Sequence, residues 1–149
     1  MHVFLGLLEE TIVRLPSGYR FTLKPHPGYA VRLADYPGLP ADETTEALDR
    51  ILCDYDVAIA ANSTSAAVDA YHAGLRVIVA MDGAEMNLSP LRGRPGVRFV
   101  GTPGELADAL RVGESDDARD PARGDFFFLD AGLPRWQQLL ATAGAAPRA

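Results

Sequence analysis

Lys24-Pro25-His26-Pro27 holds two groups able to carry positive charge in one stiff corner. Each proline fixes its own φ and pushes the residue before it out of the helical region. Lys24 and His26 are therefore held extended. A lysine supplies a fixed charge, and a histidine near neutral pH can serve as anion ligand and as proton donor. Such a pair suits a phosphate. The competing reading is a surface turn in which the prolines merely stop a strand. A second cluster, Asn62-Ser63-Thr64-Ser65, stands where a strand gives way to a helix. Backbone amides and the positive end of the helix dipole favour an anion at such a place. A helix needs one hydroxyl residue as its N-cap, and here there are three in a row.

Two further places carry polar groups of the right kind. Glu46 falls in the first turn of an expected helix, where from position alone it reads as a cap and dipole partner. A carboxylate near the ligand edge of a sheet can instead accept the ribose hydroxyls of a nucleotide. Asp82-Gly83-Ala84-Glu85-Met86-Asn87 follows an apolar strand, and Gly83 would allow close approach of backbone to ligand. Asp82, Glu85 and Asn87 either contact a sugar or base or are solvated loop residues. Three scattered histidines and one cysteine give no metal-ligand spacing. There is no G-x-S-x-G, G-x-G-x-x-G or Walker A pattern, and no cofactor is expected.

These residues need elements to position them. Phe4, Leu7, Leu8, Ile12 and Leu15 recur at helical spacing and predict a helix over 3–14. Phe21-Thr22-Leu23 alternates as a strand should and runs into Lys24, giving a strand over 20–24. A short apolar piece at Val31 and Leu33 follows. A helix is expected over 43–53, capped by Thr44 or Thr45, with Leu48, Ile51 and Leu52 as its stripe and Cys53 packed at its end. Val57-Ala58-Ile59-Ala60 and Val77-Ile78-Val79-Ala80 are unbroken apolar runs, as in strands covered on both faces, and are expected at the sheet centre. A helix over 63–73 lies between them, with Gly74 after its end. Val97-Arg98-Phe99-Val100 is a further strand, and Thr102-Pro103-Gly104-Glu105 opens a helix with proline at its first position. Residues 113–125 read as a mobile surface loop. Phe126 to Leu140 reads as an aromatic strand or turn and a last helix holding Trp136.

Strands alternating with helices predict an α/β fold with a doubly wound parallel sheet, Rossmann-like, whose ligands bind at the carboxyl edge. The 149 residues suit one domain with a proper core. Such a domain ordinarily opens on a strand, whereas the first element here is a helix. The expectation is therefore a piece of a larger two-domain protein. No apolar run is long enough to span a bilayer. The lone cysteine suits a reducing compartment, and a net charge of −6 argues against nucleic acid as a main partner.

Lys24-Pro25-His26-Pro27, the run Asp56 to Ser65 and the run Ala73 to Val79, in that order, resemble the carboxyl-terminal half of a GT-B glycosyltransferase. The likeness is to bacterial surface-carbohydrate enzymes of capsule and lipopolysaccharide biosynthesis, and to sialyltransferases with an HP motif and a serine-rich motif. Phe127-Phe128-Leu129-Asp130 and Leu133-Pro134-Arg135-Trp136 are similar to the ending of such proteins. The resemblance implies that His26 contacts the donor phosphate and assists its departure. It implies that Ser63 and Thr64 bind the same phosphate and that Glu46 binds the ribose. It further implies a nucleotide-activated sugar, CMP-linked, as donor. The acceptor domain and catalytic base would lie in an amino-terminal half of the same protein, working in the cytoplasm at the inner face of the membrane. Two other readings stay open: a flavodoxin-like module that binds a phosphorylated ligand without catalysis, and one half of a sugar-nucleotide epimerase.

Overall fold

Leu5 and Leu8 lie one turn apart on the apolar side of the first helix, α1 (His2–Ile12), and both are buried in the computed structural model. That model describes residues 2–28, 31–62, 64–84, 86–112 and 132–144. Thr11 on the same helix is fully buried, yet its hydroxyl is satisfied by donating to the Leu7 carbonyl at 2.6 Å. The next elements are β1 (Phe21–Leu23), a single 3-10 turn at Leu33–Asp35 and β2 (Ala41–Glu43). They are followed by α2 (Leu48–Ile51), a 3-10 turn at Leu52–Asp54, β3 (Val57–Ala61), α3 (Ala66–His72) and β4 (Arg76–Ala80). The last are β5 (Val97–Val100), α4 (Pro103–Arg111) and α5 (Pro134–Gly144).

The strands form two parallel sheets. One is three-stranded in the order β3-β4-β5, with Ile59 opposite Ile78 and Ile78 opposite Arg98. The other pairs β1 with β2, Phe21 opposite Ala41 and Leu23 opposite Glu43. β4 is the centre of the larger sheet, and its side chains alternate between two apolar clusters. Ile78 and Ala80 pack with Leu5 and Leu8 of α1 and with Leu106, Ala109 and Leu110 of α4. Val77 and Val79 pack with Ala67, Ala70 and Tyr71 of α3, and with Leu52 and Leu91. Helices thus cover both faces of this sheet, which explains the unbroken apolar run of β4. Each such aliphatic side chain contributes about 1.5–3 kcal/mol on burial.

Four expectations need correction. Among the described residues the strands do not form one sheet: β1 and β2 stand in a sheet of their own. The run expected at 57–60 is, among the described residues, not central but on an edge of its sheet, and Val57, Ala58 and Ile59 are only half-buried. The helix expected over 43–53 is replaced by β2, the one-turn α2 and a 3-10 turn. Ala41-Asp42-Glu43 has no apolar alternation to mark it as a strand. It becomes one through pairing with β1, extended by Thr44 N–H donating to the Leu23 carbonyl at 3.0 Å. The loop before it is tied to α1, because Gly38 N–H donates to the Glu9 carboxylate at 2.7 Å; a Cβ on Gly38 would collide with that same side chain. Finally, Cys53 is exposed rather than packed. Residues 113–125 and 126–131 fall outside the described residues. Among the described residues no helix is long and apolar enough to cross a membrane.

α4 begins as its sequence prescribes. Thr102 Oγ1 accepts from Glu105 N–H at 3.2 Å, and Glu105 Oε2 accepts in return from Thr102 N–H at 3.2 Å and Gly101 N–H at 2.7 Å. Pro103 stands at the first turn, where no N–H is needed. Thr102→Ala is expected to lower stability by about 0.5–2 kcal/mol, read from urea unfolding. The bond from Gly101 N–H, foremost, holds the Glu105 carboxyl below its usual 4.5. The folded value is lower than the unfolded one, so this contribution is complete above pH 4.5 and fades as pH falls through the depressed folded value. Glu105→Gln should accordingly unfold more readily than the parent at neutral pH, and the gap should narrow on acidification.

Candidate functional site

The chain leaves β1 at Leu23 and enters the Lys24–Pro27 corner directly. Lys24 and Pro25 are half-buried, and His26 and Pro27 are exposed. The imidazole is not loose: Gly28 N–H donates to His26 Nδ1 at 3.0 Å. In the neutral ring this leaves the proton on Nε2, which is then a hydrogen-bond donor. Gly28 was not singled out by the sequence. A Cβ there would stand 3.2 Å from His26 Nδ1 and 3.4 Å from Cε1. Gly28→Ala is therefore expected to tilt the ring and weaken anion binding several-fold. Because the ring is exposed and can move, stability should stay within about 0.5 kcal/mol of the parent. Thermal unfolding and a phosphate titration of the same variant check both halves.

The second cluster sits after β3. Thr64 N–H donates to the Ala61 carbonyl at 3.2 Å, which closes a tight turn at the strand end. Thr64 Oγ1 accepts from Ala66 N–H at 3.2 Å, so its lone pair satisfies the first amide of α3 while its proton is kept to donate; Ser65, the N-cap, makes no side-chain cap bond. The carbonyl of Ser65 accepts from Val68 and Asp69 N–H at 2.8 and 3.2 Å. α3 thus starts at Ala66, three residues later than the pattern suggested, and is seven residues long. Several first-turn amides are thus already occupied, which leaves the Thr64 and Ser65 hydroxyls as the donors here. Ser63 lies outside the described residues, as does Glu85.

Asn62 serves a bracing role. Its N–H donates to the Ala80 carbonyl at 3.1 Å and its Nδ2 to the Met86 carbonyl at 2.9 Å, which ties the end of β3 to the loop after β4. Asn62 Oδ1 is buried and has no partner among the described residues. Asp82 Oδ1 accepts from Ala84 N–H at 3.1 Å in a local turn. Gly83 is exposed with open space where a Cβ would stand. Glu46 is exposed in the loop ahead of α2 rather than in its first turn, and its N–H donates to Thr44 Oγ1 at 3.2 Å. The helix it was to open begins later, with Ala47 as cap and no side-chain bond.

One cleft of about 2130 Å³ collects the two main clusters. Lys24, His26, Thr64 and Ser65 all line it; Glu46, Asn62 and Gly83 do not. The charges around it are mixed. Arg20 precedes β1, Asp56 precedes β3 and Arg76 opens β4, so these lie at the amino ends of their strands. At the carboxyl ends stand Lys24 and the hydroxyls, and the carboxylate of Asp69 on α3 lines the same cleft. Among the described residues no group of three or more His, Cys, Asp or Glu side chains is placed to hold a metal ion. Comparison with known proteins found no matching family model, no matching curated protein and no matching solved structure. What this site does therefore rests on its own chemistry: at the carboxyl ends of the strands, the Lys24 cation, the oriented His26 imidazole and two hydroxyls on a shared cleft.

Proposed function

We propose that this chain is the donor-binding, carboxyl-terminal half of a GT-B glycosyltransferase of bacterial surface-carbohydrate synthesis, taking a CMP-activated sugar. The observation that carries the proposal is the convergence of the Lys24–His26 corner and the Thr64–Ser65 turn on one cleft at the ends of their strands. The parallel pairing of all three observed strand couples suits the doubly wound arrangement of that domain. In this reading Lys24 and the Nε2–H of His26 hold the nucleotide phosphate. As the glycosidic bond to phosphate lengthens, negative charge grows on the departing oxygen. Donors already oriented toward it stabilise that charge at no further reorganisation cost. Thr64 supplies a third donor while its lone pair holds the Ala66 amide. The acceptor and the base that deprotonates it belong to an amino-terminal half of the same protein, at the cytoplasmic face of the membrane.

An NMR titration of the chain with CMP, UDP, GDP and CDP-glycerol tests this directly. CMP is expected to shift the amides of His26, Gly28, Thr64 and Ser65 together, and a CMP-sugar should bind without turnover onto a glycan acceptor. Equal weak shifts with all four ligands, or shifts confined to one of the two clusters, would remove the proposal's support.

A further inference from the structure

α5 is exposed along its length: every residue from Gly132 to Thr142 is open to solvent. That includes its three large apolar side chains, Trp136 at 61%, Leu139 at 59% and Leu140 at 66%. At about 100° per residue these three fall within one arc of roughly 100°. Leu133, also exposed, stands just ahead of the helix. Arg135, Gln137, Gln138 and Thr142 lie outside the arc. Their side chains are partly served within the helix itself. Gln137 Nε2 donates to the Gly132 carbonyl at 2.8 Å, and Thr142 Oγ1 donates to the Gln138 carbonyl at 2.8 Å. α5 is thus an amphipathic helix whose apolar stripe lies in water. A helix of 11 residues is marginal by its own hydrogen bonds, so covering that stripe is what would stabilise it.

Charge and size decide what covers it. From Ala131 to Ala149 the sequence holds Arg135 and Arg148 and no acid, whereas the whole chain carries −6. The apolar stripe therefore lies on a basic end of an acidic protein. Eleven residues make a helix about 16 Å long, half the hydrocarbon thickness of a bilayer, so α5 cannot cross one. One face of such a helix, about 10 Å wide, also falls far short of the roughly 800 Å² per partner of a stable dimer. A bilayer surface sets no such requirement. It takes a short amphipathic helix in its plane, with tryptophan at the level of the headgroups and leucines against the acyl chains.

We propose that α5 is a membrane-surface anchor, lying flat on an anionic bilayer with Trp136, Leu139 and Leu140 turned into it. The positive charge of this end adds attraction to anionic headgroups, while the acids of the rest of the chain keep the remaining surface off the lipid. The proposal stands on α5 and does not depend on what the Lys24–His26 corner binds.

Trp136 is the only tryptophan of the chain, so its fluorescence reports on α5 alone. The full chain is titrated with vesicles of phosphatidylcholine and with vesicles of an equimolar phosphatidylcholine–phosphatidylglycerol mixture. The anionic vesicles are expected to move the emission to shorter wavelength, and brominated acyl chains to quench it. Partitioning into the neutral vesicles should be weaker by about fivefold for each basic residue near the surface. Leu139→Gln combined with Leu140→Gln keeps the probe. Both side chains are exposed, so the urea midpoint should not move, while partitioning should fall by on the order of a hundredfold. An unshifted spectrum with anionic vesicles would overturn the proposal, as would equal binding to the neutral ones or undiminished binding of the double variant. Short-wavelength emission already present without lipid would overturn it too: independent of protein concentration, it means that α5 is seated on its own chain, and growing with concentration, that a second copy covers it. No nucleotide enters this readout, so its failure is distinct from failure of the donor-site reading.

Discussion

His26→Ala is expected to weaken CMP binding by on the order of tenfold to a hundredfold with little change in the unfolding midpoint. A hydrogen bond involving a charged phosphate is worth about 1.5–3 kcal/mol. The side chain is exposed, so its removal leaves no cavity, and the partner it abandons, Gly28 N–H, is exposed too and can turn to water. Calorimetric titration of parent and variant reads the loss. Thr64→Ser keeps both the lone pair on Ala66 N–H and the donor proton, and should bind nearly as the parent does. Thr64→Ala gives up both and should bind more weakly while also fraying the start of α3. Lys24→Ala should weaken binding and flatten its dependence on salt, because a fixed cation acts through a screened field. If His26→Ala bound CMP as tightly as the parent, the phosphate would have to lie elsewhere.

Tyr71→Ala is expected to destabilise the chain by about 3–5 kcal/mol, the range for removing a large buried ring. Tyr71 is fully buried and packs with Ala67 and Ala70 on α3, Val77 and Val79 on β4, Leu52 and Leu91. Ala67 and Ala70 are small and buried beside it, so the ring is the bulkiest buried side chain of this cluster and its removal leaves a large void. Domains of this size are stable by only about 5–15 kcal/mol, so the variant should be partly unfolded at modest urea concentration. Tyr71→Phe removes the hydroxyl alone and separates its contribution from the packing of the ring. Because α3 carries the Thr64–Ser65 turn at its start, the alanine variant should also lose nucleotide binding, and should do so at temperatures below its unfolding midpoint. A loss under about 1 kcal/mol in urea unfolding would mean that α3 is not seated by this residue.

The central strand, the helix at its amino side and the capped helix after β5 were all legible from local chemistry. An unbroken apolar run of this length suits a strand with two covered faces, and β4 is that strand. The Thr102–Glu105 box needs partners three residues apart, so its bonds are written within a single turn. The stiffness of the Lys24–Pro27 corner is likewise a covalent property of two proline rings. The same cannot be said of β2: Ala41-Asp42-Glu43 has no strand propensity, and it is extended because β1 offers it a backbone ladder. Nor could local pattern tell that Val57–Ala61 would stand on an edge, since the apolar run that suits a central strand is identical whether or not its second neighbour is present. Glu46 lost its helix for the same reason, because residues 41–43 were drawn into a pairing with a strand twenty residues earlier in the register. The orientation of His26 came from Gly28, through a contact in which the absence of a side chain leaves room for a ring. Spacing and covalent stiffness are local and survive in the sequence, whereas backbone pairing and close approach depend on which distant segment arrives beside them.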